Sequence, residues 1–219
     1  MTLVLFGHPF SSYTQKVLIA LTENATPFDF RCLGPDQPDN AAEWLKRWPI
    51  RKFPLLVDSD RQLAETSIII EYLHLAHPGP APLLPDDAMA ALDVRFMDRF
   101  FDQHVMNAAQ HAVDGALTGD PVKRRDGMAM SVEKLERAYA WLETYLTNRT
   151  WAAGDTFSMA DCAAAPALFY ADWTHPIANG YTALRAYRTR LLTRPSVMKA
   201  VEGGRPYRHL FPLEAPDRD

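Results

Sequence analysis

The sequence predicts an α/β domain followed by an all-α domain, and three observations support this prediction. Signals for strands and helices alternate through residues 1–77. The segment HPGPAPLLP that closes this region holds four prolines and one glycine, a composition that stops a helix and gives a stiff, extended linker. Beyond it, apolar residues recur with helical spacing. We therefore expect an N-terminal domain over residues 1–77, a linker over 78–85 and a helical domain over 86–219.

The N-terminal domain is expected to follow the order strand, helix, strand, helix, strand, strand, helix. A short apolar run that ends in Gly7 is typical of a buried strand, and Val17 and Leu21 follow it four residues apart, as on one face of a helix. The turn cluster GPDQPDN separates the second strand from the second helix. The predicted strands cover residues 2–7, 26–33, 54–58 and 62–65, and the predicted helices cover residues 13–23, 41–48 and 66–76.

The second domain is expected to hold helices over residues 86–112, 122–148, 158–173, 180–192 and 195–202. Large apolar residues of the first helix are predicted to face inward, namely Leu92, Phe96, Phe100 and Phe101. On the same helix, Arg95 and Asp98 would either reach a partner subunit or form a solvated face.

Composition and charge exclude several classes of protein. The 219 residues are 47% hydrophobic and 23% charged, which is ordinary for a globular chain with a real core. The net charge is -4 and no block of Lys and Arg stands out, so nucleic acid and anionic membranes have little support as partners. No apolar run approaches the roughly 18 residues of a membrane span. Two distant cysteines and the absence of a signal-peptide pattern favour a reducing, cytoplasmic location.

The stretch RKFPLLVDSDRQLAETSIIIEYL, residues 51–73, carries the most specific motif. Pro54 opens a strand, where a cis peptide after Phe53 is one interpretation, but the dipeptide alone favours an ordinary edge-strand proline. Glu65 and Thr66 stand where the last strand gives way to a helix, with Thr66 as a candidate N-cap. A carboxylate, a hydroxyl and a helix N-terminus together suit the ammonium and carboxylate groups of an amino acid. A simple helix cap would explain the pair equally well.

The whole pattern resembles the cytosolic glutathione transferase superfamily. The resemblance rests on Lys52-Phe53-Pro54-Leu55-Leu56, on Glu65-Thr66 with Ile69, Tyr72 and Leu73, and on FSMAD at 157–161, which reads as a capping box. It implies a thioredoxin-like N-terminal domain that binds glutathione, and a helical domain that binds a second substrate. It also implies a homodimer.

Four consecutive hydroxyl side chains after the first strand resemble the serine-type turn of the zeta and phi classes of that superfamily. In these classes a hydroxyl stabilises the glutathione thiolate, and the resemblance assigns this role to Ser11. Ser12 is the second candidate and Tyr13 the third. A cysteine at this turn would instead favour thiol–disulfide chemistry, but the first cysteine is Cys32.

The same resemblance distributes glutathione over the motif residues. Lys52 would bind the glycine carboxylate, Phe53 and Pro54 would pair through the backbone with the cysteinyl part, and Glu65 and Thr66 would hold the γ-glutamyl end. The second substrate, a hydrophobic electrophile, would lie between the domains, against Phe10, Tyr13, His104, Met106 and Gln110. No metal site is expected, because His104 and His111 share a helical face without a third ligand.

The implied function is conjugation of glutathione to an electrophilic small molecule, the chemistry of detoxification. A glutathione-dependent isomerase similar to maleylacetoacetate isomerase, a peroxidase and a disulfide reductase remain alternatives. A non-catalytic binding module on the same fold is an alternative of a different class. It is disfavoured because both the turn hydroxyl and the Glu65-Thr66 pair are present.

Overall fold

The computed structural model describes residues 3–219, in which a four-stranded sheet with three helices precedes an all-helical region. The predicted fold class is confirmed. The first predicted strand began at Thr2, which lies outside the described residues. The predicted order of elements is observed throughout the N-terminal part, with boundaries that differ by no more than three residues.

The sheet has the strand order β2-β1-β3-β4. β1 (Leu3–Gly7) lies parallel to β2 (Phe28–Cys32), and their crossover connection is the helix α1 (Ser12–Glu23). β3 (Leu55–Asp58) pairs antiparallel with β1 and with β4 (Arg61–Leu63). This arrangement places the end of β1, and therefore the turn into α1, beside the chain that enters β3.

Alternation along β1 divides the apolar side chains between the two faces of the sheet. Leu3 and Leu5 belong to the large core that also contains residues of α1 and of the helical region. Phe6 belongs to a small second core with Trp44 of the helix α2 (Pro38–Arg47). One face of the sheet is therefore covered by α2, and the other faces the rest of the molecule.

Gly7 ends β1 where Thr14 of α1 approaches closely. A Cβ at residue 7 would lie 2.7 Å from Thr14 Cγ2 and Oγ1, which real Cβ atoms do not tolerate. The glycine thus allows α1 to begin immediately beside the strand end. The third helix of this part, α3 (Thr66–Ala76), matches its predicted range.

The helical region is built around α7 (Met159–Thr174), every residue of which is buried. The long helix predicted over 86–112 extends to Leu117 and contains a π-helical segment. The capping box predicted at FSMAD forms, with the backbone N–H of Ser158 donating to Asp161 Oδ2 at 2.9 Å. The elements of this region are α4 (Ala88–Phe100), the π-helical segment (Phe101–Met106), α5 (Asn107–Leu117), α6 (Pro121–Tyr145), α7, α8 (Thr182–Leu192), α9 (Pro195–Gly204) and a 3₁₀ helix (Arg205–Leu210).

The inward face of α4 differs from the prediction. Leu92 and Phe96 were expected to face inward, but they are 54% and 52% exposed, whereas Phe101 is fully buried. The buried face carries smaller or unexpected side chains, namely Ala91, Val94, Met97 and Asp98. The prediction failed because it assigned the largest apolar side chains to the core, while a buried ion pair of Asp98 orients this helix.

Candidate active site

The turn between β1 and α1 presents a serine hydroxyl to an open cavity. Ser11 occupies the N-cap position of α1, where its backbone is extended (φ −81°, ψ 125°). Its Oγ accepts a hydrogen bond from the backbone N–H of Thr14 at 3.3 Å, and its own N–H donates to the carbonyl of His8 at 3.0 Å. Because the oxygen already accepts from the helix, the hydroxyl proton remains free to be donated outward.

Ser11 lines a cavity of about 550 Å³. The cavity is shared by every residue that the sequence assigned to glutathione, namely Lys52, Phe53, Pro54, Glu65 and Thr66. The Phe53–Pro54 peptide bond is cis, in contrast to the ordinary edge-strand proline that the dipeptide alone favoured. The structure therefore brings the turn after β1 and the motif around β3 and β4 to one place.

The start of α3 differs from the prediction in one respect. Glu65, rather than Thr66, occupies the N-cap position, and its φ of 65° lies in the left-handed region that non-glycine residues avoid. Its side chain makes no capping hydrogen bond, so the first N–H groups of α3 keep their capacity to bind a carboxylate. Thr66 is the first helical residue and is buried.

Ser12 and Tyr13 are less well placed than Ser11. Ser12 is not among the residues that line the 550 Å³ cavity described above. Tyr13 does line it, but its hydroxyl donates to Asn107 Oδ1 at 3.1 Å. Burial raises the pKa of Tyr13 to about 12, and the negative charge of Asp102 adds to this effect. The proton of Tyr13 is therefore already engaged and weakly acidic.

A second, apolar cavity of about 230 Å³ adjoins the first. Four of the five residues predicted for the second substrate line it: Phe10, Tyr13, Met106 and Gln110. Ser11, Tyr13 and Gln110 line both cavities, so the hydroxyl of Ser11 stands at their junction. The sequence analysis missed the remaining apolar walls, which include Val113, Leu117, Tyr170, Leu210 and Phe211.

His104 is the predicted site residue that the structure does not bring to either cavity. It lies four residues from Phe100 and from Ala108, and these three share a helical face. That face lines a separate groove beside Trp141 of α6, where the rings of Phe100 and His104 lie 5.1 Å apart. Within residues 3–219, no group of three or more His, Cys, Asp or Glu side chains could hold a metal ion.

A buried ionic cluster lies directly behind the site. Lys16 Nζ lies 2.7 Å from Asp98 Oδ1, 2.9 Å from Asp102 Oδ2 and 3.1 Å from Ser67 Oγ. Burial raises the pKa of Asp102, against the opposing attraction of Lys16. The cluster joins α1 and α3 to the long helix. Asp98 is thus an internal partner of Lys16, in contrast to the surface role expected from the sequence, and Arg95 pairs with Glu71 of the same chain.

His8 shapes the turn that carries Ser11. Its Nδ1 accepts the backbone N–H of Phe10 at 3.2 Å, so this nitrogen must be unprotonated. Its ring packs edge-on against Tyr207, with centroids 4.5 Å apart. Burial lowers the pKa of His8. Neutral His8 therefore stabilises the turn above its unfolded pKa of about 6.5, and this contribution is lost as the pH falls through the lowered folded pKa.

We expect protonation of His8 at acid pH to lower kcat/KM. Protonation removes one hydrogen bond of about 1 kcal/mol, which corresponds to roughly a fivefold loss. The His8→Asn variant keeps an acceptor near the position of Nδ1 but cannot be protonated, so its activity declines less steeply below pH 6.5. The measurement is the pH profile of kcat/KM for both proteins. Superimposable profiles would show that His8 does not titrate in the turn.

Both parts of the chain match models of one protein family. Residues 5–81 match the glutathione S-transferase N-terminal domain, and residues 110–190 match the glutathione S-transferase C-terminal domain.

Among the helices of the described chain, none combines the length and apolar character needed to cross a membrane.

Individual relatives cover nearly the full chain. Glutathione S-transferase GstB of Escherichia coli is 29% identical over 209 residues, which are 91% of this chain and 97% of the relative. A stringent starvation protein A homolog of Haemophilus ducreyi is 26% identical over 212 residues, 94% of this chain and 92% of the relative. The crystal structure of a Methylobacterium radiotolerans glutathione S-transferase, complexed with glutathione sulfonate, is 29% identical with a TM-score of 0.77, and covers 92% of this chain and 95% of that one.

Proposed function

Because the chain belongs to the glutathione S-transferase family, we propose that it is a transferase in which Ser11 stabilises the thiolate of glutathione for attack on an electrophilic small molecule. The observation that carries the proposal is the position of the Ser11 hydroxyl. Its oxygen is held by the N–H of Thr14, and Ser11 lines both cavities where they adjoin. A hydrogen bond donated to a sulfur anion lowers the pKa of the thiol.

The larger cavity is the proposed site of the tripeptide. Lys52 supplies a positive charge for the glycine carboxylate, while Glu65 and the start of α3 suit the γ-glutamyl ammonium and carboxylate groups. This arrangement fixes the sulfur near Ser11, so that positioning adds to electrostatic stabilisation. The adjoining apolar cavity takes the hydrophobic part of the electrophile.

The direct test is an ultraviolet difference titration of the protein with saturating glutathione from acid to alkaline pH. A thiolate absorption band that persists below the pKa of free glutathione is the expected result. Glutathione that binds without forming a thiolate near neutral pH would remove the main support for conjugation. The isomerase, peroxidase and disulfide reductase alternatives share the thiolate, so turnover of their substrates must separate them.

The non-catalytic alternative has one specific observation in its favour. The relative from Haemophilus ducreyi, which spans almost the whole chain, does not bear a transferase name. A chain that fails to bind glutathione in the titration would move this alternative to the front. The Ser11, Lys52 and Glu65 side chains around one cavity favour the enzyme.

The proposed domain division is residues 1–77 and 86–219, with a linker between them. It is supported by the end of α3 at Ala76 and the start of α4 at Ala88. One core nevertheless includes apolar residues from both sides of this boundary, among them Leu5 of β1 and Met97 of α4. We therefore propose that the two domains fold as one cooperative unit.

We also propose that the protein is a homodimer that associates through α3, α4 and α6. Phe96 of α4 is 52% exposed and packs edge-on against Trp141 of α6, which is 38% exposed. The Arg95–Glu71 ion pair joins α4 to α3 beside this patch. Further exposed apolar residues on these helices extend it: Ile68, Leu75, Met89 and Leu92. Several large apolar side chains exposed on neighbouring helices are typical of an interaction site.

The Phe96→Asp variant is expected to be monomeric, because a carboxylate at the centre of an apolar interface is desolvated without a partner. Met198, which is 46% exposed on α9, provides a matched control as Met198→Asp. The measurement is the molar mass by light scattering during gel filtration. A wild-type protein that is already monomeric at micromolar concentration, or an unaltered dimer in Phe96→Asp, would contradict the proposal.

A further inference from the structure

The helical wall of the larger cavity is polar along its whole length. The long helix contributes to the cavity the side chains of Arg99, Asp102, Gln103, Asn107, Gln110 and Asp114. Apart from the adjacent pair Asp102 and Gln103, successive residues lie three or four positions apart, so they form one face. An apolar electrophile alone would make no hydrogen bonds to this face.

Hydrogen bonds within the wall show which of its groups remain available. Tyr13 donates to Asn107 Oδ1, Asn107 Nδ2 donates to Gln103 Oε1 at 3.1 Å, and Gln110 Nε2 donates to Asp114 Oδ1 at 2.8 Å. Within residues 3–219, no donor reaches Gln110 Oε1 or Asp114 Oδ2. The end of the wall formed by Gln110 and Asp114, called the far end below, therefore presents hydrogen-bond acceptors. These acceptors fit a hydroxyl or an amide N–H on a ligand.

The far end lies beyond the proposed glutathione site. Asp102 is tied through Lys16 to Ser67, the neighbour of Thr66, and so belongs to the γ-glutamyl end. Asp114 follows Asn107 by two turns of α5, which is about 10 Å further along the cavity. Gln110 also lines the apolar cavity. Gln110 thus stands where the second substrate would lie, and Asp114 lies beside it on the wall of the larger cavity.

From this arrangement we propose that the second substrate is an amphiphilic electrophile. Its apolar part fills the cavity lined by Phe10, Met106 and Leu117, and a hydrogen-bond donor on the same molecule binds Gln110 and Asp114. This inference rests on the proposed transferase function and adds the substrate class. Gln110 is then a specificity-determining residue, because it lines both cavities at their junction.

The inference can be tested with two chlorodinitrobenzenes that differ only in the group para to chlorine. One compound carries a carboxamide at this position and the other a trifluoromethyl group. Both groups withdraw electrons, but only the carboxamide donates hydrogen bonds. In each reaction the glutathione sulfur forms a bond to the ring carbon, chloride leaves with its electron pair, and the thiol proton passes to solvent. The quantity compared is the ratio of kcat/KM for the carboxamide to kcat/KM for the trifluoromethyl compound.

We expect Gln110→Leu to lower this ratio about five- to tenfold, as expected for one lost hydrogen bond. Asp114→Leu, at an exposed position where folding is not at risk, should lower it in the same direction. His111→Leu is the matched control, because His111 lies on the same helix and is not among the residues lining either cavity. An equal ratio in wild type, Gln110→Leu and Asp114→Leu would overturn the inference.

The calorimetric Kd of each compound separates this inference from the proposed function. If the protein accelerates the reaction of neither compound above the uncatalysed rate, the transferase proposal loses support. Tighter binding of the carboxamide, lost in Gln110→Leu, would still support a polar subsite. Equal Kd values for the two compounds would overturn the subsite, even in an active enzyme.

Discussion

Replacing Ser11 by alanine is expected to lower kcat/KM for glutathione conjugation by about 100-fold. The removed hydroxyl is the only proposed donor to the thiolate, and loss of one preorganised donor to an anion typically costs two to three orders of magnitude. The pKa of the bound thiol should rise by about 1.5 units, because a hydrogen bond to a charged group contributes roughly 2 kcal/mol. The thiolate difference spectrum and steady-state kinetics measure both effects.

The loss of the α1 cap has to be separated from the loss of the donor. Ser11 also accepts the N–H of Thr14, and alanine at an N-cap costs about 1 kcal/mol of stability, whereas glycine costs only a few tenths. Ser11→Gly should therefore lose the thiolate band while it retains most of its stability. Ser12→Ala serves as the neighbouring control with near-normal activity. A band that survives in both Ser11 variants would transfer the role to Ser12 or Tyr13.

Replacing Lys16 by methionine is expected to destabilise the protein by about 3–5 kcal/mol, because two buried carboxylates then lose their common cation. The Lys16 and Asp98 side chains are each 1% exposed, and that of Asp102 is 8% exposed. Methionine conserves most of the buried volume, so the loss reports the charge rather than a cavity. Urea unfolding followed by fluorescence gives the change in the free energy of unfolding.

Arg95→Met provides the matched comparison on the same region of the molecule. The Arg95 side chain is 43% exposed in its pair with Glu71, so its removal should cost no more than about 1 kcal/mol. Adding Asp98→Asn and Asp102→Asn to Lys16→Met removes the uncompensated charges and should recover more than half of the loss. Similar losses in the free energy of unfolding for Lys16→Met and Arg95→Met would show that burial does not determine how much the Lys16 cluster contributes to stability.

Local patterns were sufficient for most elements of the fold. The apolar run before Gly7 and the spacing of Val17 and Leu21 led to the correct element types, since each is decided by a pattern over a few residues. Element boundaries were less accurate, because helix ends depend on local backbone conformation that the sequence pattern does not specify, and α2 begins three residues before its predicted start.

Long-range contacts decided the features that were predicted wrongly. The rotation of α4 depends on Lys16, which lies 82 positions before Asp98 in the chain and reaches it only in the folded protein. His104 follows Phe100 by four residues and continues its face, which lines a groove separate from both cavities. A prediction based on hydrophobic size alone therefore assigned Phe96 to the buried face of α4, whereas it lies on the exposed face.

The sequence by itself determined the fold class, the serine at the turn into α1 and the motif residues from Lys52 to Thr66, because these features depend on short stretches with a specific order. Only the tertiary structure shows that the motif residues from Lys52 to Thr66 line one cavity together with Ser11. It also shows that a polar helical face forms the opposite wall of this cavity. The reason is physical: the direction of a helical face is set by what it packs against. Here that direction depends on one buried ammonium group shared by two carboxylates.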